Sequence, residues 1–335
     1  MELVTGGTGM VGAHLLYLLL KEKKAVRAIH RKESNKISVK RIFELYDPIE
    51  AETLFNKIEW AEADITDIPA LTKAFKGIKK VYHCAAVVDF DPANYKTLKK
   101  INEEGTANVV NLCLATKIEK LCYVSSVATL GTPPKGKSTT EETWWNPDGK
   151  NNVYAITKYG AEMEVWRGAQ EGLDTVIVNP GIIFGISTNE DGSGNIIKIG
   201  SRGLPFYPSG GMGIVDVQDL TQIMVRLMDS QIKNEQFIVV GSNVSFKEIL
   251  AKLAILYGKK PPRKKLSKSL MYFLSSVDWL FSKLFGTKRK LPKATVHSMF
   301  SSPVYDSSKL EEALGFEFTP VETTLQRMVK TDLRQ

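Results

Sequence analysis

The segment Thr5-Gly6-Gly7-Thr8-Gly9-Met10-Val11-Gly12 decides the fold of this 335-residue chain. It follows a short apolar run, Glu2 to Thr5, and leads into residues 12–21, where apolar positions recur with helical spacing. Glycines in such a turn let the backbone approach a pyrophosphate, which then lies at the positive end of the helix dipole. We therefore predict a dinucleotide site in which all eight residues are candidate contacts. The alternative is a plain structural turn.

Short runs rich in Val and Ile alternate with helix-length segments through the first two-thirds of the chain. The predicted strands are Glu2–Thr5, Ala25–His30, Ile58–Ala63, Lys80–Cys84, Lys120–Ser125, Thr175–Asn179 and Gln236–Val240. This alternation indicates βαβ units and a parallel sheet that is covered on both faces. We predict a doubly wound α/β (Rossmann) domain from residues 1–185, with 214–242 contributing, and a smaller substrate-binding lobe from residues 186–213 and 243–335.

The net charge of +8 is concentrated in one segment. Residues 259–293 contain eleven of the 45 basic residues and one of the 37 acidic residues, so the remainder carries 34 against 36, a net charge of −2. A nucleic-acid-binding protein would spread basic residues over a binding face. We therefore expect a small-molecule substrate and no nucleic-acid partner.

The cysteines and the lack of a predicted secretory signal or membrane-spanning segment indicate in which cellular compartment the protein works. Cys84, Cys113 and Cys122 lie in or beside apolar runs, without metal-ligand spacing, which predicts free thiols, a reducing compartment and no metal site. The N-terminus shows no secretory signal, and residues 266–285 are too polar to span a membrane. We expect a cytoplasmic protein, with peripheral membrane contact through residues 266–285 as an open alternative.

In dinucleotide-binding domains, residues at the end of the second strand contact the adenosine ribose of the cofactor. Here that strand ends with Ile29-His30-Arg31-Lys32. An Asp or Glu there would bind the 2′-hydroxyl of NAD, whereas Arg31 can bind a 2′-phosphate through its guanidinium. We therefore predict NADP, with His30 and Arg31 among the cofactor-binding residues. NAD is the alternative, because Glu33 lies close enough to supply the missing acid and the basic residues could be solvated turn charges.

Tyr154 and Lys158 lie four residues apart and so share one face of a predicted helix. A phenol is a weak base at neutral pH, but a neighbouring ammonium and an oxidised nicotinamide both favour its phenolate. Tyr154 could then exchange a proton with a substrate hydroxyl or carbonyl while hydride passes to or from the cofactor.

With the N-terminal glycine turn, Ser125-Ser126 after the fifth strand, and Tyr154 and Lys158 downstream, the chain resembles the extended short-chain dehydrogenase/reductase family, the NAD(P)-dependent epimerase/dehydratase group. The resemblance spans nearly the whole chain. It implies that Ser126, rather than Ser125, is catalytic together with Tyr154 and Lys158, and that Lys158 also holds the nicotinamide ribose. It adds as cofactor contacts Asp64, Ile65, Cys84, Ala85, Ala86, Asn102, Pro180, Gly181, Ile182 and Ile183.

Three departures from the sequence pattern of the nucleotide-sugar enzymes in this family limit the class of substrate that the resemblance implies. Asn179 stands where those enzymes have Arg, Phe184 where they have Tyr, and Leu130 where they also have Tyr. The chain looks more like the dihydroflavonol-reductase and 3β-hydroxysteroid-dehydrogenase branches, which act on apolar alcohols and ketones. Asn179 could also simply cap a strand, and Phe184 could be a core residue.

The function expected from the resemblance is therefore interconversion of a secondary alcohol and a ketone or aldehyde. A nucleotide-sugar epimerase or dehydratase is the first alternative, although only Glu141 and Glu142 offer an extra acid near Tyr154. A cofactor-bound sensor without turnover is the second. The resemblance also implies a homodimer through the helices that carry Asn102 and Tyr154.

Residues 266–285 carry apolar and aromatic side chains at helical spacing between two basic clusters, Arg263-Lys264-Lys265 and Lys288-Arg289-Lys290. A basic, aromatic amphipathic helix is typical of peripheral contact with an anionic membrane. The alternative is that the stripe packs on the substrate lobe as a lid over the active site, with solvated lysines. One helix could do both.

Overall fold

The computed structural model describes residues 1–186, 193–287 and 289–333. Residues 187–192 of the predicted substrate lobe and Lys288 of the second basic cluster lie outside the described residues. The strands are β1 (Glu2–Thr5), β2 (Val26–His30), β3 (Glu59–Glu62), β4 (Lys80–His83), β5 (Lys120–Val124), β6 (Thr175–Pro180), β7 (Ile182–Phe184), β8 (Phe206–Tyr207), β9 (Gly211–Asp216), β10 (Glu235–Val239), β11 (Ser242–Ser245) and β12 (Lys264–Lys265).

The helices occupy the connections between the strands and most of the last third of the chain. They are α1 (Met10–Lys21), α2 (Lys36–Tyr46), α3 (Ala51–Phe55), α4 (Ile68–Ala74), α5 (Tyr95–Leu98), α6 (Gly105–Ala115), α7 (Val153–Gln170), α8 (Ser193–Ser201), α9 (Val217–Asp229), α10 (Phe246–Leu256), α11 (Lys268–Phe285), α12 (Lys293–Met299), α13 (Ser308–Leu314) and α14 (Val321–Asp332).

Seven parallel strands form the central sheet in the order β10-β6-β5-β4-β1-β2-β3. This is a doubly wound α/β fold, and all seven predicted strands are confirmed within one or two residues at their ends. The order of the strands reverses between β1 and β4, because β2 and β3 follow β1 on one side while β4, β5, β6 and β10 continue on the other. Ligands of open α/β sheets bind at this point, outside the carboxyl ends of the strands.

The sheet separates two hydrophobic clusters, as expected for strands whose side chains alternate between faces. On β5, Cys122 belongs to the cluster shared with α1, α2 and α9, whereas its neighbours Leu121 and Tyr123 belong to the cluster shared with α4, α6 and α7. Every residue of β5 and of β6 is buried. These two strands are therefore a rigid base for the side chains that follow them.

A smaller unit lies after β6. There β7, β9 and β11 form a second sheet, and β8 pairs with β12. A third hydrophobic cluster joins this sheet to α10 and α14 and includes Phe184, Ile249 and Leu325. The strand β10 returns to the central sheet beside β6, so the chain between residues 211 and 245 contributes to both sheets.

The helix that carries Asn102 begins with a π-helical segment, Lys99–Glu104, before α6. The apolar stripe of α11 does not pack on the substrate lobe, because Phe273 is 64% exposed and Phe281 55% exposed, while Ser275 is the buried residue of this helix. Packing was thus the wrong expectation for that stripe.

Leu19 of α1 is fully buried in the cluster between α1 and the sheet, whereas Leu45 of α2 is 38% exposed. We expect Leu19→Ala to lower the free energy of unfolding by about 2–5 kcal/mol, because it removes apolar contacts and leaves a cavity. Leu45→Ala is the matched control and should cost about 0.5 kcal/mol or less. Denaturant unfolding measures both, and equal losses would contradict this description of the core.

Candidate active site

The predicted glycine turn connects β1 to α1 at the point where the sheet order reverses. Gly6 has a φ of +66°, and a Cβ there would lie 2.8 Å from the backbone of Ala85. A Cβ on Gly12 would lie 2.3 Å from the Gly6 carbonyl oxygen. Side chains are thus excluded at both positions, and the loop after β4 lies directly against the turn.

The amino terminus of α1 has the features of an anion site. Gly9 precedes the helix without a side-chain cap, and the first turn contains no acidic residue. The first N–H groups of a helix have no partner within the helix, so here they are available to a ligand. A pyrophosphate would accept from these groups and be stabilised by the helix dipole. The turn therefore fits the predicted dinucleotide.

A buried histidine links the strands beneath this turn. His83 Nδ1 lies 2.6 Å from Thr5 Oγ1, and His83 Nε2 lies 2.9 Å from Thr106 Oγ1. Thr106 donates its hydroxyl hydrogen to the Asn102 carbonyl at 2.5 Å, so it accepts from the Nε2–H of His83. Burial lowers the pKa of His83 to about 3. His83 is therefore a neutral structural link between β1, β4 and α6.

Asn102 fixes the loop that carries the predicted contacts at residues 84–86. Its side-chain amide donates to the Val87 carbonyl at 3.0 Å, and its Oδ1 accepts from the Val87 N–H at 2.8 Å. It also donates to Thr157 Oγ1 of α7 at 3.2 Å. Because Asn102 is 1% exposed, its side chain holds the loop from behind and aligns it with α7.

The residues predicted to contact adenine form a fixed turn after β3. Asp64 Oδ1 accepts from the Thr66 N–H at 2.8 Å and from the Thr66 hydroxyl at 2.7 Å. Ile65 is 5% exposed, and its carbonyl accepts from Asn108 at 3.0 Å. A Cβ on Gly105 would lie 2.6 Å from Ile65 Cδ1. This turn lies on the same edge of the sheet as the glycine turn, two strands away.

Arg31 lies at the end of β2, beside the glycine turn. Its N–H donates to Ser34 Oγ at 3.0 Å and its carbonyl accepts from the Ser34 N–H at 2.9 Å, so the backbone forms a tight turn. The Arg31 side chain is exposed, and its guanidinium forms no ion pair with any described residue. The side chain is therefore available to a ligand.

The two serines after β5 have different partners. Ser125 donates to Glu162 Oε2 at 2.5 Å and is 3% exposed. Ser126 Oγ accepts from the Ala128 N–H at 3.1 Å, and the Ser126 side chain lies near enough to Tyr154 to lower the pKa of that phenol. The geometry thus brings Ser126, the predicted catalytic serine, to Tyr154, while Ser125 is occupied by a buried carboxylate.

That carboxylate belongs to Glu162, one helical turn after Lys158 on α7. Glu162 is 3% exposed and its Oε2 accepts from Ser125, from Thr129 at 2.8 Å and from Asn179 at 3.0 Å. The three donors come from the end of β5, from the turn after it and from β6. A buried carboxylate with this many donors is held in one place.

Lys158 is buried at 1% exposure. Its Nζ donates to the Tyr123 hydroxyl at 2.5 Å and to the Val124 carbonyl at 2.8 Å, and it lies 4.2 Å from the centroid of the Tyr123 ring. Burial lowers the pKa of Lys158 to about 7, against the opposing effect of Glu162, which favours the ammonium. Lys158 therefore exchanges its proton near neutral pH.

Tyr154 is half-buried, and the Phe90 ring meets it edge-on with 5.6 Å between the centroids. Burial raises the pKa of Tyr154, and the nearby Ser126 side chain opposes that shift. Lys158 is not among the groups that shift the pKa of Tyr154 in this conformation. The ammonium bonds to Tyr123 and Val124 instead, and burial prevails, so Tyr154 is a phenol at neutral pH.

The segment after β6 closes the site on its other side. Pro180 ends β6, and the Gly181 N–H donates to the Val239 carbonyl at 3.2 Å. A Cβ on Gly181 would lie 2.4 Å from the Gly213 carbonyl, so β7 (Ile182–Phe184) leaves close to β9. Ile182 and Ile183 are half-buried, whereas Phe184 is fully buried. The alternative that Phe184 is a core residue is confirmed.

Three residues of the site were missed from the sequence. Glu162 lies four residues after Lys158, so helical spacing could have placed both on one face. Tyr123 lies in a continuous apolar strand and reads as a core residue, without any signal that its hydroxyl accepts from Lys158. Phe90 follows β4 in a loop with no regular pattern. Only Glu162 could have been found from spacing alone.

The described residues contain no group of three or more His, Cys, Asp or Glu side chains that could hold a metal ion. Cys84, Cys113 and Cys122 are free thiols. Within the described part of the chain, no helix has both the length and the apolar character needed to cross a membrane.

Comparison with known proteins agrees with this geometry. Residues 4–225 match an NAD-binding family described as male sterility protein. A putative dihydroflavonol 4-reductase of Synechocystis sp. (strain ATCC 27184 / PCC 6803 / Kazusa) is 28% identical over 330 residues, which cover 96% of this chain and 91% of that protein. Sterol demethylase protein B of Methylococcus capsulatus is 27% identical over 320 residues, covering 93% and 92%.

Among solved structures, the UDP-glucose 4-epimerase of Thermotoga maritima superposes with a TM-score of 0.77 at 19% identity, over 99% of this chain and 98% of that one. At this identity the likeness shows the fold, in agreement with the parallel sheet described above. The family match spans most of the Rossmann fold and assigns it a nicotinamide dinucleotide. The chain belongs to the NAD-binding male sterility protein family, within the extended short-chain dehydrogenases/reductases.

Proposed function

We propose that this protein is an NADP-dependent oxidoreductase that interconverts a secondary alcohol and a ketone or aldehyde on a small, apolar substrate. The observation that carries the proposal is the placement of Ser126 near Tyr154, with the buried Lys158 one helical turn further along α7. All three follow or face β5, at the carboxyl edge of the sheet where the glycine turn also lies.

The bound cofactor supplies or accepts the hydride. In the reducing direction, the Tyr154 hydroxyl donates its proton to the substrate oxygen as negative charge develops there. The raised pKa of Tyr154 keeps the phenol protonated at neutral pH, and the neighbouring Ser126 hydroxyl can donate to the same substrate oxygen.

Lys158 and Glu162 are the two buried charged residues of α7 next to Ser126 and Tyr154. The Lys158 ammonium, once released from Tyr123 and Val124, is positioned on the same helix face as Tyr154 and would bind the ribose hydroxyls of the cofactor. Glu162 counteracts the effect of burial on the pKa of Lys158. We assign Glu162 the role of a positioning residue that acts through Lys158 and does not touch the substrate.

An apolar substrate is supported by the loop after β4. Phe90 is 39% exposed and packs against the edge of Tyr154, and Val88 in the same loop is 61% exposed. Exposed apolar side chains beside a proton donor favour an apolar ligand. The names of the relatives, a dihydroflavonol reductase and a sterol demethylase protein, point to the same class of substrate.

An epimerase or dehydratase is the alternative with the same fold. The extra acid it would need is not supplied by Glu141, whose carboxylate accepts from the Ile238 N–H at 2.7 Å at the edge of the sheet. An epimerase retains its cofactor and gives no net oxidation or reduction. Stoichiometric consumption of NADPH with formation of an alcohol therefore separates the two functions.

NADP rather than NAD is supported by the free guanidinium of Arg31 at the end of β2. We expect Arg31→Ala to raise the Kd for NADPH by about 10–100-fold, because a charge-assisted hydrogen bond to the 2′-phosphate is lost, and to leave the Kd for NADH nearly unchanged. Lys32→Ala is the matched control, with a smaller effect. Fluorescence titration measures these constants; tighter binding of NADH than NADPH by the unmodified protein would contradict the assignment.

Tyr154→Phe removes the proposed proton donor. We expect turnover to fall by about 10²–10⁴-fold while the Kd for NADPH stays within about twofold. Tyr159→Phe is the matched control on the same helix, since Tyr159 stacks on Trp145 away from Ser126. The assay follows NADPH absorbance with a dihydroflavonol and a 3-ketosteroid as probes, and unaltered turnover in Tyr154→Phe would refute the role of this residue.

Glu162→Gln tests the coupling to Lys158. Loss of the carboxylate charge lowers the pKa of Lys158 further, so the ammonium is lost at a lower pH. We expect the alkaline limb of kcat/KM for NADPH to move to a pH about 1 lower. Glu164→Gln is the control, because Glu164 pairs with Arg167 on the surface. If kcat/KM falls equally at every pH and the alkaline limb does not move, Glu162 supports the fold and does not act through the pKa of Lys158.

A further inference from the structure

Helix α11 is amphipathic, and part of its polar side faces the loop that follows it. Ser275, Asp278 and Ser282 form hydrogen bonds at 2.5 to 3.1 Å with the main chain of Thr287, Lys290 and Leu291. Asp278 also pairs with Arg289 at 3.6 Å. These bonds attach the polar side of the helix to the loop that follows it, so the orientation of α11 is fixed.

Seven exposed Leu and Phe side chains of α11 lie on a different side and face outward. At 3.6 residues per turn they share an arc of about 140°, which contains no charged residue. Their exposed fractions are Leu270 50%, Phe273 64%, Leu274 42%, Leu280 48%, Phe281 55%, Leu284 67% and Phe285 68%. A continuous surface of large apolar side chains is uncommon on a monomer and marks a site of interaction. We call these seven residues the apolar arc.

The apolar arc has a basic border. Arg263, Lys264, Lys265 and Lys268 precede or begin the helix, and Lys283, Lys290 and Lys293 lie near its other end; all seven side chains are exposed. None of them forms an ion pair with a described residue. Strand β12 places Lys264 beside Phe206 of β8, which is 46% exposed, so apolar and basic side chains alternate beyond the helix too.

We propose that α11 and strand β12 dock on the surface of an anionic phospholipid bilayer. The apolar arc enters the boundary between headgroups and acyl chains, and the basic border contacts the anionic headgroups. Charge selects this occupant over a second copy of the chain, because two segments that each carry a net charge of +10 would repel one another across an interface. The proposal does not depend on the reaction proposed above.

Co-sedimentation of the full-length protein with liposomes tests this docking. We expect binding to vesicles of phosphatidylcholine mixed with phosphatidylglycerol, weak binding to phosphatidylcholine alone, and loss of the difference at high salt. Phe273→Ser with Phe281→Ser should weaken partitioning at least tenfold, because two exposed aromatic rings no longer enter the bilayer. Lys264→Gln with Lys265→Gln should weaken it by about fivefold per residue, on anionic vesicles only.

Ile49→Ser is the matched control, since Ile49 is 91% exposed and lies outside α11. Because all substituted side chains are exposed, the thermal unfolding midpoint should not change, and this is measured alongside. The proposal is overturned if the unmodified protein binds neither kind of vesicle, or if Ile49→Ser weakens binding as much as the double aromatic variant. A dimer in sedimentation velocity that the aromatic variant abolishes would assign the apolar arc to a second copy instead.

Discussion

The arrangement of the site depends on burying one lysine. Lys158 is almost fully covered, and its Nζ is held by the Tyr123 hydroxyl, the Val124 carbonyl and the face of the Tyr123 ring. Burial of an ammonium is unfavourable unless hydrogen bonds and an opposite charge compensate it. Glu162, fixed by three donors from neighbouring elements, supplies that charge. The same constraint explains why β5, β6 and α7 meet in one place, because each contributes a group to this cluster.

Much of this could be predicted from the sequence. Strands and glycine turn follow from local rules: period-two and continuous apolar runs for the strands, and close backbone approach for Gly6 and Gly12. The family resemblance, and not a local pattern, selected Ser126 over Ser125 as the catalytic candidate. What could not be predicted depends on contacts between distant segments. Tyr123 reads as a core residue until the fold brings Lys158 over its ring. The sequence also gives no sign that the buried amide of Asn102 holds Val87.

The pKa of Tyr154 also could not be predicted from the sequence, because it depends on how deeply the folded chain buries the phenol. Sequence spacing places Lys158 and Tyr154 on one helix face, which suggests that the ammonium favours the phenolate. The structure adds burial, which acts on the pKa of Tyr154 in the opposite direction and prevails.

In α11, sequence periodicity identifies an apolar stripe but does not reveal which side of the helix is covered. The hydrogen bonds of Ser275 and Asp278 decide this, and they turn the stripe outward. The concentrated positive charge thus belongs to an exposed surface, separate from a near-neutral catalytic body.

The most direct test of this account is the titration of Lys158 itself. Protein labelled with ¹³C at lysine Cε, with the signal assigned by comparison with Lys158→Arg, reports its protonation by NMR as the pH is raised. The account predicts a midpoint near 7, well below the ordinary value of 10.5, because the ammonium is buried. A midpoint at or above 10 would show that burial does not lower the pKa of Lys158, and it would contradict the site described here.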